Sequence, residues 1–257
     1  MNYTNKEMQV IMIARQIKDG QRVIVGTGLP LVGASLAKRT YAPNCCLLVE
    51  SGMVDGCPVE APTSVADLRF SHGASTLGET FRYFGMQNNN LRKSVMDLGF
   101  LGGAQIDPYG NLNSTSIGDY HHPSAHFSGS GGANGIATYV NTVLMMQHQK
   151  RRFVEKVDYL TSPGWINGPD GRREKGLPPD RGPQVVITNL GLMKFDDETK
   201  RMYVAEYFPG VTVQDIQDNT GFEIDVSRAA ESIPPEPECL EILRNQIDPS
   251  RLYIGKE

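Results

Sequence analysis

Glu50 is the residue whose type and place most suggest chemistry. The stretch CLLVESGMVDG, residues 46 to 56, runs from a thiol and an apolar ridge into that acid, then into Ser51 and Gly52. In open α/β sheets ligands gather at the carboxyl ends of strands, so an acid ending an apolar strand is placed to act as nucleophile or base. The same pattern fits a surface glutamate that caps the next turn or accepts from backbone amides, and residue types alone leave both readings open. Ser51 and Gly52 have the composition of a turn that would present the acid.

The glycine-rich run SGSGGANG, residues 128 to 135, is the second candidate. Its backbone amides can converge on an anion or on the oxygen of a tetrahedral intermediate, and a helix is predicted directly behind it. It matches neither G-x-x-x-x-G-K-[ST] nor a G-x-G-x-x-G after a strand, which argues against a nucleotide site. An ordinary turn at the start of a helix is the competing reading, and the favoured one for GTGLP at 26 to 30. His121, His122 and His126 cluster in DYHHPSAH, but adjacent histidines beside a proline cannot easily face one ion. No carboxylate at helical spacing completes a ligand set, so no metal site is predicted. In GGAQIDPYGNLN, Asp107, Asn111 and Asn113 are short polar residues of the kind that order a turn through their own backbone. Gln105 is the exception best placed for substrate. Trp165 reads as packing or a subunit contact, and Asp119 and Tyr120 as structural.

Elements of α/β type are needed to hold these groups. Thr4 and Glu7 have capping-box spacing, predicting a helix over residues 5 to 18 that stops near Gly20. RVIVGTGLPLVGASLAKRTY reads as strand, glycine turn and helix, and NCCLLVE as a second strand, an order that implies a parallel sheet. A further strand leads from Asp97 into the PYGN turn. A helix is expected over 133 to 148, then a strand VEKVDYLT. The long Gly- and Pro-rich loop SPGWINGPDGRREKGLPPDRGP follows, and loops of this length are usually functional or contact a partner. PQVVITN, LMKFD and RMYVAEYF read as three strands, with DDETK as the hairpin turn between the last two. TVQDIQDN reads as a short helix, FEIDVS as a strand, and 236 to 245 as a last helix.

The chain of 257 residues is read as one domain, 1–257, with an open, mostly parallel sheet flanked by helices and an added mixed or antiparallel segment. A net charge of −4 with scattered Lys and Arg excludes the basic footprint of a nucleic-acid binder. Four cysteines without paired spacing point to reduced thiols and a cytoplasmic location. No stretch approaches the roughly 18 to 20 apolar residues of a membrane span.

The segments VESGMVD, GGAQIDPYGNLNSTSIGDYHHP, GSGGANGIATY and FPGVTVQDIQDNTGFEIDV, in this order, resemble the β subunit of the family I coenzyme A transferases. The resemblance runs from YTNKEMQ to IDPSRLYI. It implies a catalytic glutamate, matched by Glu50, which attacks an acyl-CoA thioester and passes through an acyl-glutamyl anhydride to a glutamyl-CoA thioester, with ping-pong kinetics. It implies oxyanion contacts at Gly131 and Gly132, to which the loop reading adds Gln105 as an acyl contact, with Ser51 and Gly52 as the turn that presents the nucleophile. CoA enters as acyl-CoA substrate and no cofactor is tightly bound. A separate α subunit completes a hetero-oligomer, an αβ-type tetramer or octamer. The acid implied is glutaconate or a related dicarboxylate, exchanged with acetate, although residues 71–90 depart from the glutaconate pattern where an acyl group would be sensed. A CoA-thioester hydrolase or decarboxylase on the same scaffold, and a non-catalytic ligand-binding subunit, are the competing readings.

Overall fold

A computed structural model describes residues 2–64, 67–79 and 94–255. The chain packs as two compact units, Met1–Phe100 with Ile233–Glu257, and Leu101–Ser232.

The first unit begins with α1 (Asn5–Ala14), where Thr4 Oγ1 accepts from the Glu7 amide and the Glu7 carboxylate accepts from the Thr4 amide. Every residue of α1 from Glu7 to Ala14 is buried, because MQVIMIA is apolar nearly all round. The helix ends four residues short of the expected Lys18. β1 (Arg22–Ile24), α2 (Leu29–Arg39) and β2 (Cys46–Leu48) follow, with β1 parallel to β2 and Val23 opposite Leu47. GTGLP is the start of α2, with Gly28 at its N-cap and a proline in its first turn. β3 (Met53–Val54) runs antiparallel to β2, and β4 (Thr76–Leu77) antiparallel to β3. β5 (Leu98–Gly102) pairs in parallel with the other side of β1. The C-terminal helix Pro237–Ile242 passes into a π-helical turn over Leu243–Ile247. Arg244 of that turn donates to the buried Glu7 carboxylate at 2.6 Å. Burial raises the pKa of Glu7, but the Arg244 hydrogen bond and the Thr4 amide outweigh it and the net shift is downward.

The second unit carries two short hairpins, β6 (Gln105–Ile106) with β7 (Leu112–Asn113) and β8 (Ser116–Ile117) with β9 (Ala125–His126). α3 (Ala133–Tyr139) and β10 (Asn141–Met145) follow. After one helical turn, α4 (Gly171–Glu174), come β11 (Pro183–Ile187), β12 (Gly191–Phe195) and β13 (Met202–Tyr207). β10 pairs with β11 in parallel, and β11, β12 and β13 form an antiparallel meander. α5 (Val213–Asp218) and β14 (Ala230–Glu231), parallel to β13, complete the unit. The expected α/β fold with parallel strands, flanking helices and an antiparallel addition is therefore present.

Three expected elements differ. The helix over 133 to 148 stops at Tyr139, because the β-branched run VNTV is drawn out as β10 against β11. VEKVDYLT is not a strand; the residues on either side of it bridge to the β6–β7 hairpin, Phe153 to Ile106 and Ser162 to Leu112. FEIDVS makes an isolated bridge, Asp225 to Tyr203, while β14 pairs with β13 further along at Glu206 and Tyr207. Among the described residues no helix is long and apolar enough to cross a membrane.

His148 follows β10 and stacks flat on Phe153, with ring centroids 4.0 Å apart. Thr220 Oγ1 gives its proton to the Ile216 carbonyl, so it accepts from His148 Nε2–H, and Nδ1 faces Thr188 Oγ1. Burial pushes the imidazole pKa down to about 3. A folded-state pKa below the unfolded value contributes stability that is complete above pH 6.5 and lost as pH falls toward 3. Wild type should therefore lose stability relative to His148→Gln by about 1.4 kcal/mol per pH unit between pH 6 and pH 4. Denaturant unfolding of both proteins at these pH values measures it, and parallel pH profiles would contradict it.

Candidate active site

The Glu50 carboxylate sits on a hairpin tip whose geometry is closely determined. Leu47, Leu48 and Val49 are buried, which fixes the end of β2 in the first unit. The Gly52 amide donates to the Val49 carbonyl at 2.9 Å and the Val49 amide to the Met53 carbonyl at 3.1 Å. Glu50 and Ser51 thus occupy the two central positions of a tight turn joining β2 to β3. Gly52 has φ +91°, and a Cβ there would overlap the Gly78 carbonyl oxygen. The Gly78 amide in turn donates to the Gly52 carbonyl at 2.7 Å, so the segment after β4 lies flush against the turn. Only glycine meets both demands.

The base of this hairpin is bolted to α2. Lys38 in the last turn of α2 contacts Asp55 Oδ1 at 2.6 Å and donates to the Cys45 carbonyl at 2.6 Å. Asp55 itself adopts φ +60°, and its amide donates to the Leu47 carbonyl. Glu50 is exposed and has no hydrogen-bonding or ionic partner among the described residues. The Ser51 hydroxyl is the reverse: its Oγ is buried with no partner among the described residues. The geometry therefore offers a carboxylate presented on a closely determined tip, with no ion pair to a described residue. Of the segment 71–90, Thr76–Leu77 pairs with β3, while residues 80 to 90 lie outside the described residues.

In the second unit, Gly131 and Gly132 form the turn that leads into α3. The Ala133 amide donates to the Ser130 carbonyl at 2.9 Å, Gly131 has φ +50° and Gly132 is the N-cap. Neither the Gly131 nor the Gly132 amide has an acceptor among the described residues, which leaves two donors free. α3 has only seven residues, so these two amides rather than a helix field are what the turn can offer an oxyanion. The Ser114 hydroxyl donates to the Gly129 carbonyl and the Gly129 amide to the Ser114 carbonyl, holding the glycine run on the 113–116 segment.

Gln105 is buried and held at both ends of its amide. Its Oε1 accepts from Asn113 Nδ2 at 2.8 Å and from the Asp158 amide at 3.0 Å, while its Nε2 donates to Asp158 Oδ2 at 3.0 Å. Asp107, Asn111 and Asn113 order their loop as their residue types predict. Asp107 accepts from the Tyr109 and Asn111 amides and from Asn111 Nδ2. Burial pushes its carboxyl up to about 6, against the pull of these donors. His121 and His122 donate their backbone amides to Asp119 Oδ1, so Asp119 orders that loop too. Trp165 is buried, and its Nε1 donates to the Pro183 carbonyl.

Sequence reasoning missed Lys38 and Asp55 under the nucleophile turn, Asp158 behind Gln105, and Arg172 in the long loop. No residue spacing marks such pairs, because each joins segments far apart in the chain.

Comparison with known proteins places the chain. A profile of the family described as coenzyme A transferase matches residues 6–219. The chain is 58% identical to a subunit of the glutaconate CoA-transferase of Acidaminococcus fermentans, covering 98% of this chain and 96% of the relative. It is 38% identical to a subunit of the 3-oxoadipate CoA-transferase of Pseudomonas knackmussii, covering 94% and 92%. The crystal structure of glutaconate coenzyme A-transferase from A. fermentans superposes with a TM-score of 0.95 at 57% identity, covering 100% of this chain and 99% of that one. The chain belongs to the coenzyme A transferase family.

Proposed function

We propose that this chain is the catalytic β subunit of a CoA-transferase that moves CoA between a dicarboxylic acid of the glutaconate kind and acetate, in complex with a separate α subunit. The exposed Glu50 carboxylate, unpartnered among the described residues and held on a closely determined turn, carries the reading. Glu50 attacks the acyl-CoA carbonyl, expelling CoA thiolate and forming an acyl-glutamyl anhydride. The thiolate returns to the glutamyl carbonyl, releases the acid and leaves a glutamyl-CoA thioester. A second acid then runs the two steps backwards, which gives ping-pong kinetics. A carboxylate suits this sequence because its anhydride is a good acceptor for returning thiolate, whereas a serine ester would release its alkoxide too poorly. Binding of the remote CoA chain offsets the unfavourable anhydride steps.

The amides of Gly131 and Gly132, without acceptors among the described residues, support their assignment to the developing oxyanion. Gln105 belongs to the acyl-binding set: Asn113 and Asp158 fix the orientation of its amide, and one Nε2–H is given to Asp158. Both relatives described above are subunits of CoA-transferases, which supports an α partner in an αβ-type tetramer or octamer, and the acids in both of their names are dicarboxylates. CoA is a substrate here and not a resident group. Four free cysteines support a reducing, cytoplasmic setting.

Co-purification with the α subunit allows acyl-CoA donors to be screened against acetate and dicarboxylic acids, with parallel double-reciprocal plots expected. Borohydride added after acyl-CoA alone should reduce a thioester at Glu50, detectable by peptide mass. Turnover of acyl-CoA with no acceptor acid and no modified Glu50 would sink the proposal in favour of hydrolysis.

A further inference from the structure

Arg172, at the centre of the long loop, is 1% exposed, yet no carboxylate pairs with it among the described residues. Buried cations normally have a counter-charge, because desolvating one costs several kcal/mol. Here five carbonyl oxygens accept the hydrogen bonds of Arg172, and the Asp180 carboxylate favours the charge without forming an ion pair. Nε donates to Pro178 at 2.9 Å, Nη1 to Gly164 at 2.9 Å, Ala137 at 3.2 Å and Pro163 at 3.4 Å, and Nη2 to Thr138 at 2.7 Å and Ala137 at 3.2 Å. Burial pulls the guanidinium down to about 10, so it stays charged at neutral pH.

Two of those acceptors belong to α3. Ala137 and Thr138 lie in its last turn, where carbonyls have no intrahelical amide to accept from. A seven-residue helix is unstable alone and depends on what grips its ends. The segment that enters this loop grips the other end too, since Asn134 Nδ2 donates to the Thr161 carbonyl at 2.9 Å; the Asn134 amide is held locally by Ser130 Oγ at 3.0 Å. The loop is itself fixed, with the Gly164 amide on Asn111 Oδ1 and the Trp165 indole on the Pro183 carbonyl. Residues 161–178 therefore form a strap whose two attachments set the position of α3 along its axis, and the Gly131–Gly132 turn is the start of that helix.

We infer that Arg172 is a positioning residue, a buried guanidinium that fixes the C-terminal turn of α3 and thereby holds the Gly131 and Gly132 amides in register for catalysis. The inference rests on the proposed oxyanion role of those two glycines. Arg172 touches neither substrate nor reacting atoms; it acts through α3. Lysine cannot replace it, because an ammonium has three donors on a point and cannot span carbonyls on both sides of a planar fork.

The test uses the complex with its α subunit. Arg172→Lys is expected to lower kcat and the rate of borohydride-trappable thioester formation by about 10- to 100-fold, below the 10²- to 10³-fold typical of deleting an oxyanion donor. KM for acyl-CoA should change less than about threefold, because the proposed role of the two amides is to stabilise the transition state and not the bound substrate. Arg172→Gly should regain activity on adding guanidinium ion at tens of millimolar. Pro178→Gly is the milder variant, loosening the strap while every donor is kept, and should lower kcat several-fold with assembly intact. Assembled Arg172→Lys or Pro178→Gly complexes that show only a lower Tm, with wild-type kcat, would overturn the inference. If wild type itself forms no trappable thioester, the Glu50 reading has failed; if wild type and Arg172→Lys trap at equal rates, the strap alone has failed.

Discussion

Glu50→Gln in the complex with its α subunit should lower CoA exchange by about 10⁴-fold or more and abolish borohydride-dependent labelling at this position. The amide keeps the size and the turn but lacks the charge needed to attack a thioester carbonyl, and no neighbouring carboxylate in the turn can substitute. The side chain is exposed and has no partner among the described residues, so the change should leave folding stability within about 0.5 kcal/mol and assembly unaltered. Separating chemistry from stability in this way is what makes the variant informative. Glu50→Asp keeps the carboxylate but withdraws it by one methylene, and should lose about 10²-fold in kcat, the usual effect of a misplacement near 1 Å. Exchange by Glu50→Gln above about one per cent of wild type would remove Glu50 from the mechanism.

Gly52→Ala should produce the second largest effect while leaving Glu50 in place. At φ +91° an alanine carries a strain of roughly 1–2 kcal/mol. Its methyl also meets the Gly78 carbonyl, which is backbone and cannot rotate away. Either β3 and the Gly78 segment separate, or the Val49–Gly52 turn opens; both move the Glu50 carboxylate. The expected result is a kcat loss of about 10²-fold together with a lower Tm. Gly20→Ala supplies the control, because Gly20 has φ +77° but open space around its would-be Cβ. It should lose stability through backbone strain alone and keep wild-type kcat. Equal kinetic effects in both variants would show that the Gly52–Gly78 contact does not position the nucleophile.

Much of this architecture was legible because local chemistry and tertiary context agreed. The Thr4–Glu7 and Thr212–Asp215 capping boxes start helices where their spacing predicts. The PYGN turn and the β11–β13 meander also fall where turn residues and alternating apolar residues place them. The misreadings share one cause. VNTVLM became a strand, and VEKVDYLT and FEIDVS failed to become strands, according to whether a partner edge was available. Period and propensity say what a segment can pair as, and only the neighbour decides whether it does.

The sequence by itself determined the family resemblance, the identity of the acid at position 50 and the need for a turn after it, since these depend on residue types adjacent in the chain. Only the tertiary structure decided that Gly52 is pinned by Gly78, that Lys38 and Asp55 brace the hairpin, that Gln105 is held by Asp158, and that the long loop is organised around a buried Arg172. Each of these is a contact between distant segments, and its energy comes from burial and hydrogen-bond geometry that exist only after the chain has folded.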